Sequence, residues 1–91
     1  MSYAAEFPEL AVVPAGRRLA IAHCSSERAH IFRRVGGPAG PWHRVAVYAR
    51  FPYLDEEVLA PDTFVEYDVH VQADADAGTL QVRSHLLSAT T

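Results

Sequence analysis

The chain has 91 residues, eight arginines, no lysine, eleven acids and a formal net charge of −3, with 49% hydrophobic residues. That length sets one domain, 1–91, with a thin stability margin. No apolar run reaches the ~20 residues that span a bilayer, and one cysteine excludes an internal disulfide or a multi-cysteine zinc site.

The N-terminus lacks a basic segment followed by an apolar core, so no secretory signal is expected and the cytoplasm is the expected location. Charge is uneven along the chain. Residues 1–50 set seven arginines against Glu6, Glu9 and Glu27, giving +4, and residues 51–91 set Arg83 against eight acids, giving −7. Mutual neutralisation inside one small domain is the plainer expectation; recognition of a partner is the other.

Met1 to Ala5 is expected to fray. Glu9 to Val13 is a short apolar run that stops at Pro14. Pro14-Ala15-Gly16 reads as a turn, because proline presets φ and glycine accepts positive φ. Arg17 to Cys24 then alternates, with Leu19, Ile21 and His23 on one face and Ala20, Ala22 and Cys24 on the other. A hairpin over Glu9–Cys24 follows. The Val13-Pro14-Ala15-Gly16-Arg17 stretch is similar to the opening hairpin of GyrI-like effector-binding domains, which are longer, two-module folds, and no site is carried across.

Ser25 to Val35 reads as a helix. At 100° steps Ile31, Phe32 and Val35 share an arc with Ala29 at its flank, and Ser26, Glu27, His30, Arg33 and Arg34 lie opposite. Ser25 or Ser26 suits the N-cap, and Gly36-Gly37-Pro38 suits the end. Read as a strand, the same segment would set Arg33 among Ala29, Ile31 and Val35, a poorer pattern.

Gly36 to Pro41 is a loop, and Trp42 to Phe51 alternates as a strand that Pro52 ends. Tyr53 to Ala60 is expected to hold a helical turn or two, with Asp55, Glu56 and Glu57 at its start. Thr63 to Leu87 carries the clearest pattern. Val65, Tyr67, Val69 and Val71 alternate with Glu66, Asp68, His70 and Gln72; Leu80, Val82, Ser84 and Leu86 alternate with Gln81, Arg83 and His85. Two such runs around an Asp/Gly segment form a hairpin. Matching the apolar faces favours Glu66 opposite His85, Asp68 opposite Arg83 and Val69 opposite Val82.

The expected fold is therefore α+β. It is a two-layer sandwich with four to five mostly antiparallel strands, one main helix over about 26–35 on one face, and a C-terminal β-hairpin over about 63–87.

Chemical signals are sparse. His23-Cys24 before two serines resembles the entry to the tyrosine phosphatase loop, but the arginine that family needs six residues after the cysteine is replaced by His30. A small buried thiol is the plainer reading. The five histidines show no metal-ligand spacing, and Asp74, Asp76 and Gly78 lack the closing glutamate of a calcium loop, so neither a metal nor a cofactor is expected.

The leading expectation is a non-enzymatic interaction module, an accessory or regulatory subunit that binds a protein partner or a second copy through a sheet edge. Its surface would use Trp42, Tyr48, Arg33, Arg34, His70, Arg83 and His85. The alternative is a small-ligand or effector-binding domain with a pocket near His23, Cys24, Phe32 and Tyr67. A Cys24-dependent enzyme and an arginine-face nucleic-acid binder rank below both, and no membrane partner is expected.

Overall fold

The computed structural model of the chain describes residues 8–21, 28–74 and 80–91, with the backbone alone at 73, 74 and 80–82. Seven strands follow in order: β1 (Pro8–Val13), β2 (Gly16–Ile21), β3 (Arg28–Val35), β4 (His43–Arg50), β5 (Tyr53–Asp55), β6 (Phe64–Asp74) and β7 (Leu80–Thr90). They form two antiparallel sheets, ordered β1-β2-β5 and β4-β3-β6-β7. The expected fraying of 1–5 and the expected roles of His23, Cys24, Ser25 and Ser26 fall outside the described residues.

The expectation of an α+β fold is overturned. No helix is present among the described residues, and none is therefore long and apolar enough to cross a membrane. The segment 26–35, expected as the main helix, supplies β3, an interior strand of the larger sheet between β4 and β6. Helical periodicity loses here because β3 is half of a two-sided pairing. Its odd residues, Ala29, Ile31 and Arg33, turn to the core opposite Val71, Val69 and Tyr67. Its even residues turn outward. Tyr53–Ala60 is likewise not helical: three residues pair with β2 and the rest run without regular structure.

The first hairpin pairs Pro8 with Ile21 and Val13 with Gly16. Gly16 has φ 147°, and a Cβ there would collide with the Asp55 carbonyl oxygen. Glycine is what lets β5 lie against the start of β2. β4 and β5 are joined through Phe51-Pro52, a cis peptide.

The closing hairpin is longer than expected and its register differs. Val69 faces His85, Tyr67 faces Leu87 and Val65 faces Ala89. The core face of β7 is thus the Arg83, His85, Leu87, Ala89 face, and Leu86 is 62% exposed on the other. A shift of odd order reverses every side chain of a strand. The adjacent leucines at 86 and 87 give either parity a leucine, so alternation alone could not choose. The base of the hairpin fixes the register. Thr91 N donates to Thr63 O, Asp62 N donates to Thr91 O, and Thr63 N donates to Thr91 Oγ1.

One hydrophobic cluster joins the inner faces of the two sheets. Leu19 comes from the smaller sheet; Ala29, Ile31, Val65, Tyr67, Val69 and Val71 come from the larger, all fully buried. The two faces of the larger sheet make a direct prediction. Ile31→Ala should cost about 2–5 kcal/mol in urea unfolding, as expected for a filled core site. Leu86→Ala should stay within about 0.5 kcal/mol of the parent, as at an exposed site.

Candidate functional site

Among the described residues, Arg17 and Asp55 are charged side chains buried between the two sheets. Arg17, on the inner face of β2, donates from Nε to the Tyr67 hydroxyl at 2.9 Å and from Nη2 to the Glu57 carbonyl oxygen at 2.8 Å. Tyr67 Oη donates to Asp55 Oδ2 at 2.6 Å, and Arg33 Nη1 donates to the same oxygen at 2.8 Å. Arg33 Nη2 reaches Glu57 Oε2 at 2.6 Å, and Glu57 N donates to Asp55 Oδ1 at 3.3 Å. Two arginines therefore meet two carboxylates, and Tyr67 both accepts and donates.

Burial alone would raise the Asp55 carboxyl, but the bonds from Tyr67, Arg33 and the Glu57 N–H outweigh it and hold the group below its ordinary value. Burial, then the bond to Asp55, pushes Tyr67 up to about 12. The buried polar atoms of this group are hydrogen-bonded to one another across the two sheets, so it acts as a clasp between them.

The outer face of the larger sheet is different. Successive outward residues are Arg28, His30, Phe32 and Arg34 on β3 and Glu66, Asp68, His70 and Gln72 on β6, with Ser84, Leu86 and Ser88 on β7. Arg34 holds Glu66 through two 2.9 Å bonds and lies 4.5 Å from the Trp42 ring. The Phe32 and His70 rings are 5.0 Å apart. His70 Nε2 is 3.1 Å from Asp68 Oδ2, and Ser84 Oγ donates to Asp68 Oδ1 at 2.8 Å.

At the edge, β4 shifts register against β3 twice. The first shift contains Tyr48, which has φ 50°. A bulky residue in that region is uncommon and strained. The bulge sets the half-exposed Tyr48 ring 5.6 Å from the Arg28 guanidinium and 6.3 Å from the His30 ring, while Tyr48 N donates to His30 Nδ1 at 3.2 Å.

The residues expected to form an interaction surface thus divide. Trp42, Tyr48, Arg34 and His70 gather on the outer side of the larger sheet. Arg33 lies in the clasp, and Arg83 and His85 lie on the inner face of β7 opposite Val71 and Val69. The residues expected around a ligand pocket do not converge. Phe32 faces outward and Tyr67 is buried inward, and His23 and Cys24 lie outside the described residues. An open cleft of about 200 Å³ lies elsewhere, between the Pro14–Gly16 turn and residues 56–59, lined by Val12, Arg17, Glu57, Val58 and Leu59 among others. Among the described residues no three His, Cys, Asp or Glu side chains converge as a metal site.

Sequence reasoning missed Arg17 and Asp55 as one unit; it put His30 on the polar side of a helix, and it left both Arg28 and His30 out of the expected contact surface. The signal for Arg17 was its place in phase with Leu19 and Ile21, a charge at a core position. No protein-family model, curated protein or solved structure matches the chain.

The clasp has a pH signature. Asp55 titrates lower in the fold than in the unfolded chain, so its contribution is present above its ordinary value of 3.8 and is lost as pH falls below that. Tyr67 titrates higher, so its contribution is present below 10.0 and is lost as pH rises from there toward about 12. Urea midpoints should fall at both ends. In Tyr67→Phe the alkaline loss above pH ~10 should shrink, with about 1–3 kcal/mol lost at neutral pH because Asp55 and Arg17 each lose a partner.

Proposed function

We propose that the chain is a non-enzymatic interaction module whose contact surface is the outer face of the β4-β3-β6-β7 sheet. The observation that carries this reading is the arrangement around the Tyr48 bulge. A tyrosine is kept at φ 50°, half exposed, between Arg28 and His30, in a row that continues through Phe32 and His70 and through Arg34 with Trp42. Tryptophan, tyrosine and arginine are the side chains that dominate binding energy at protein interfaces. They hold large area with few rotors, and cation–ring contacts orient them before a partner arrives.

The face supports this role better than the sheet edge does. Of the four edge strands, β4 carries two register shifts and β5 has three residues, whereas β1 and β7 pair in regular register and carry none of the aromatic–arginine contacts. Bulged or very short edge strands resist pairing with another chain. A second copy or a different protein can both sit on the face, and accessory or regulatory action through that contact is the role it suits.

A photo-crosslinking residue placed at Tyr48, in the cells that make the protein, should yield adducts of discrete mass. The same residue at Arg18, exposed on the outer side of the smaller sheet, should yield none. Tyr48→Asn should remove the contact, yet leave stability unchanged or raise it by about 1 kcal/mol, since asparagine tolerates positive φ better. Equal adducts from both positions, or none from Tyr48, would overturn the reading.

A further inference from the structure

We infer that the partner seated on this face presents carboxylates to a cationic edge along β4, with Arg28 and Arg50 at one end and Arg44 near the other, an inference that rests on the face being the contact surface. Arg28 and Arg50 stand directly opposite each other in the β3–β4 register, and Arg44 stands opposite Phe32. Like charges directly opposed on a sheet are destabilising. Among the described residues, Arg17, Arg33 and Arg34 each meet a carboxylate, whereas Arg28, Arg44 and Arg50 are in no ion pair. The sheet thus neutralises its inner and central arginines and leaves three on one side of the outer face. An arriving carboxylate relieves that repulsion; an arriving cation adds to it.

The other half of the face decides what sort of anion fits. Glu66 and Asp68 lie on β6, on the same side of the sheet, and Leu86 is exposed beside Asp68 on β7. A polyanion of uniform charge crossing from β4 to β7 would meet the half-buried Asp68, beside the buried Glu66 that Arg34 already holds. A protein segment can set its acids along the arginine edge and an apolar or aromatic side chain over Phe32 and Leu86. The chemistry is therefore that of an acidic, aromatic-bearing polypeptide rather than a nucleic-acid strand.

The single tryptophan, Trp42, borders the face and reports its occupancy by fluorescence. A random glutamate–tyrosine copolymer should bind the full chain, more weakly as salt rises, and should shift backbone amide resonances in Arg28–Arg34 and His43–Arg50. Polylysine and oligothymidylate should bind less well. The double variant Arg28→Gln, Arg50→Gln should lose affinity by about tenfold or more while keeping its urea midpoint, because relief of the Arg28–Arg50 repulsion offsets the lost Arg28–Tyr48 ring contact. Absence of copolymer binding, binding untouched by the double variant, or tighter binding of oligothymidylate would each overturn the acidic partner. Adducts from position 48 that persist with no copolymer binding sink this inference alone. Loss of both sinks the contact surface with it.

Discussion

The fold depends on a charged group placed where a hydrophobic one would be simpler. Arg33 points from the middle of the larger sheet into the sandwich and meets Asp55 from the smaller one, while Tyr67 and Arg17 close the group from either side. Burying such charges costs several kcal/mol per ion before any partner is found. The cost is offset only when each donor and acceptor is matched, and this cluster matches them with two arginines, two carboxylates and one hydroxyl. Its bonds are directional and its partners come from both sheets. A sliding of one sheet over the other would leave charge uncompensated, which costs more than misplacing a valine. Valines and leucines supply the driving force, and the clasp sets how the two layers meet.

The same arginine explains why the architecture was only half legible. The first hairpin lies where the Pro-Gly turn puts it, and β4 falls within the expected segment, but its two register shifts break the expected alternation and leave Val47 61% exposed. β3 was lost because Arg33 broke the apolar alternation of Ala29, Ile31 and Val35, and a helix accommodated that break by rotating the charge away. Pattern reading assumes that inward positions are apolar. It fails where a buried charge is held by a partner distant in sequence, here Asp55, 22 residues on. Asp55 carried no separate mark, because three consecutive acids also suit the first turn of a helix. The register of the last hairpin was hidden for another reason. Leu86 and Leu87 are interchangeable to a period-two pattern, and hydrogen bonds at Thr63 and Thr91 made the choice.

The surface was legible in residue type and not in grouping. Trp42, Tyr48, Arg34 and His70 stood out as aromatic or cationic residues in polar surroundings, and they lie together. Arg83 and His85 looked equivalent to them until the register turned them inward. His30 was read on the polar side of a helix, apart from Phe32, and Arg28 was not among the residues expected to form a contact surface. Once that segment is a strand, every second residue from Arg28 to Arg34 must project from one face, and the row assembles without further assumptions.

The imbalance between the two halves of the chain acquires a spatial meaning from this pairing. β3 and β6 are adjacent strands, one basic and one acidic; Arg34 meets Glu66 across that seam, and Arg17 and Arg33 meet Asp55 and Glu57 inside the clasp. Neutralisation is therefore real but incomplete. What is left over is not spread evenly, because β4, the neighbour of β3 on the other side, brings Arg44 and Arg50 and no acid. A sheet needs only local pairing to be stable, and a small edge strand could have carried glutamates at little structural cost. Keeping arginines there, beside a tyrosine in a strained backbone conformation, adds repulsion and strain that folding does not require. Features that oppose stability and persist are where a function is most economically sought.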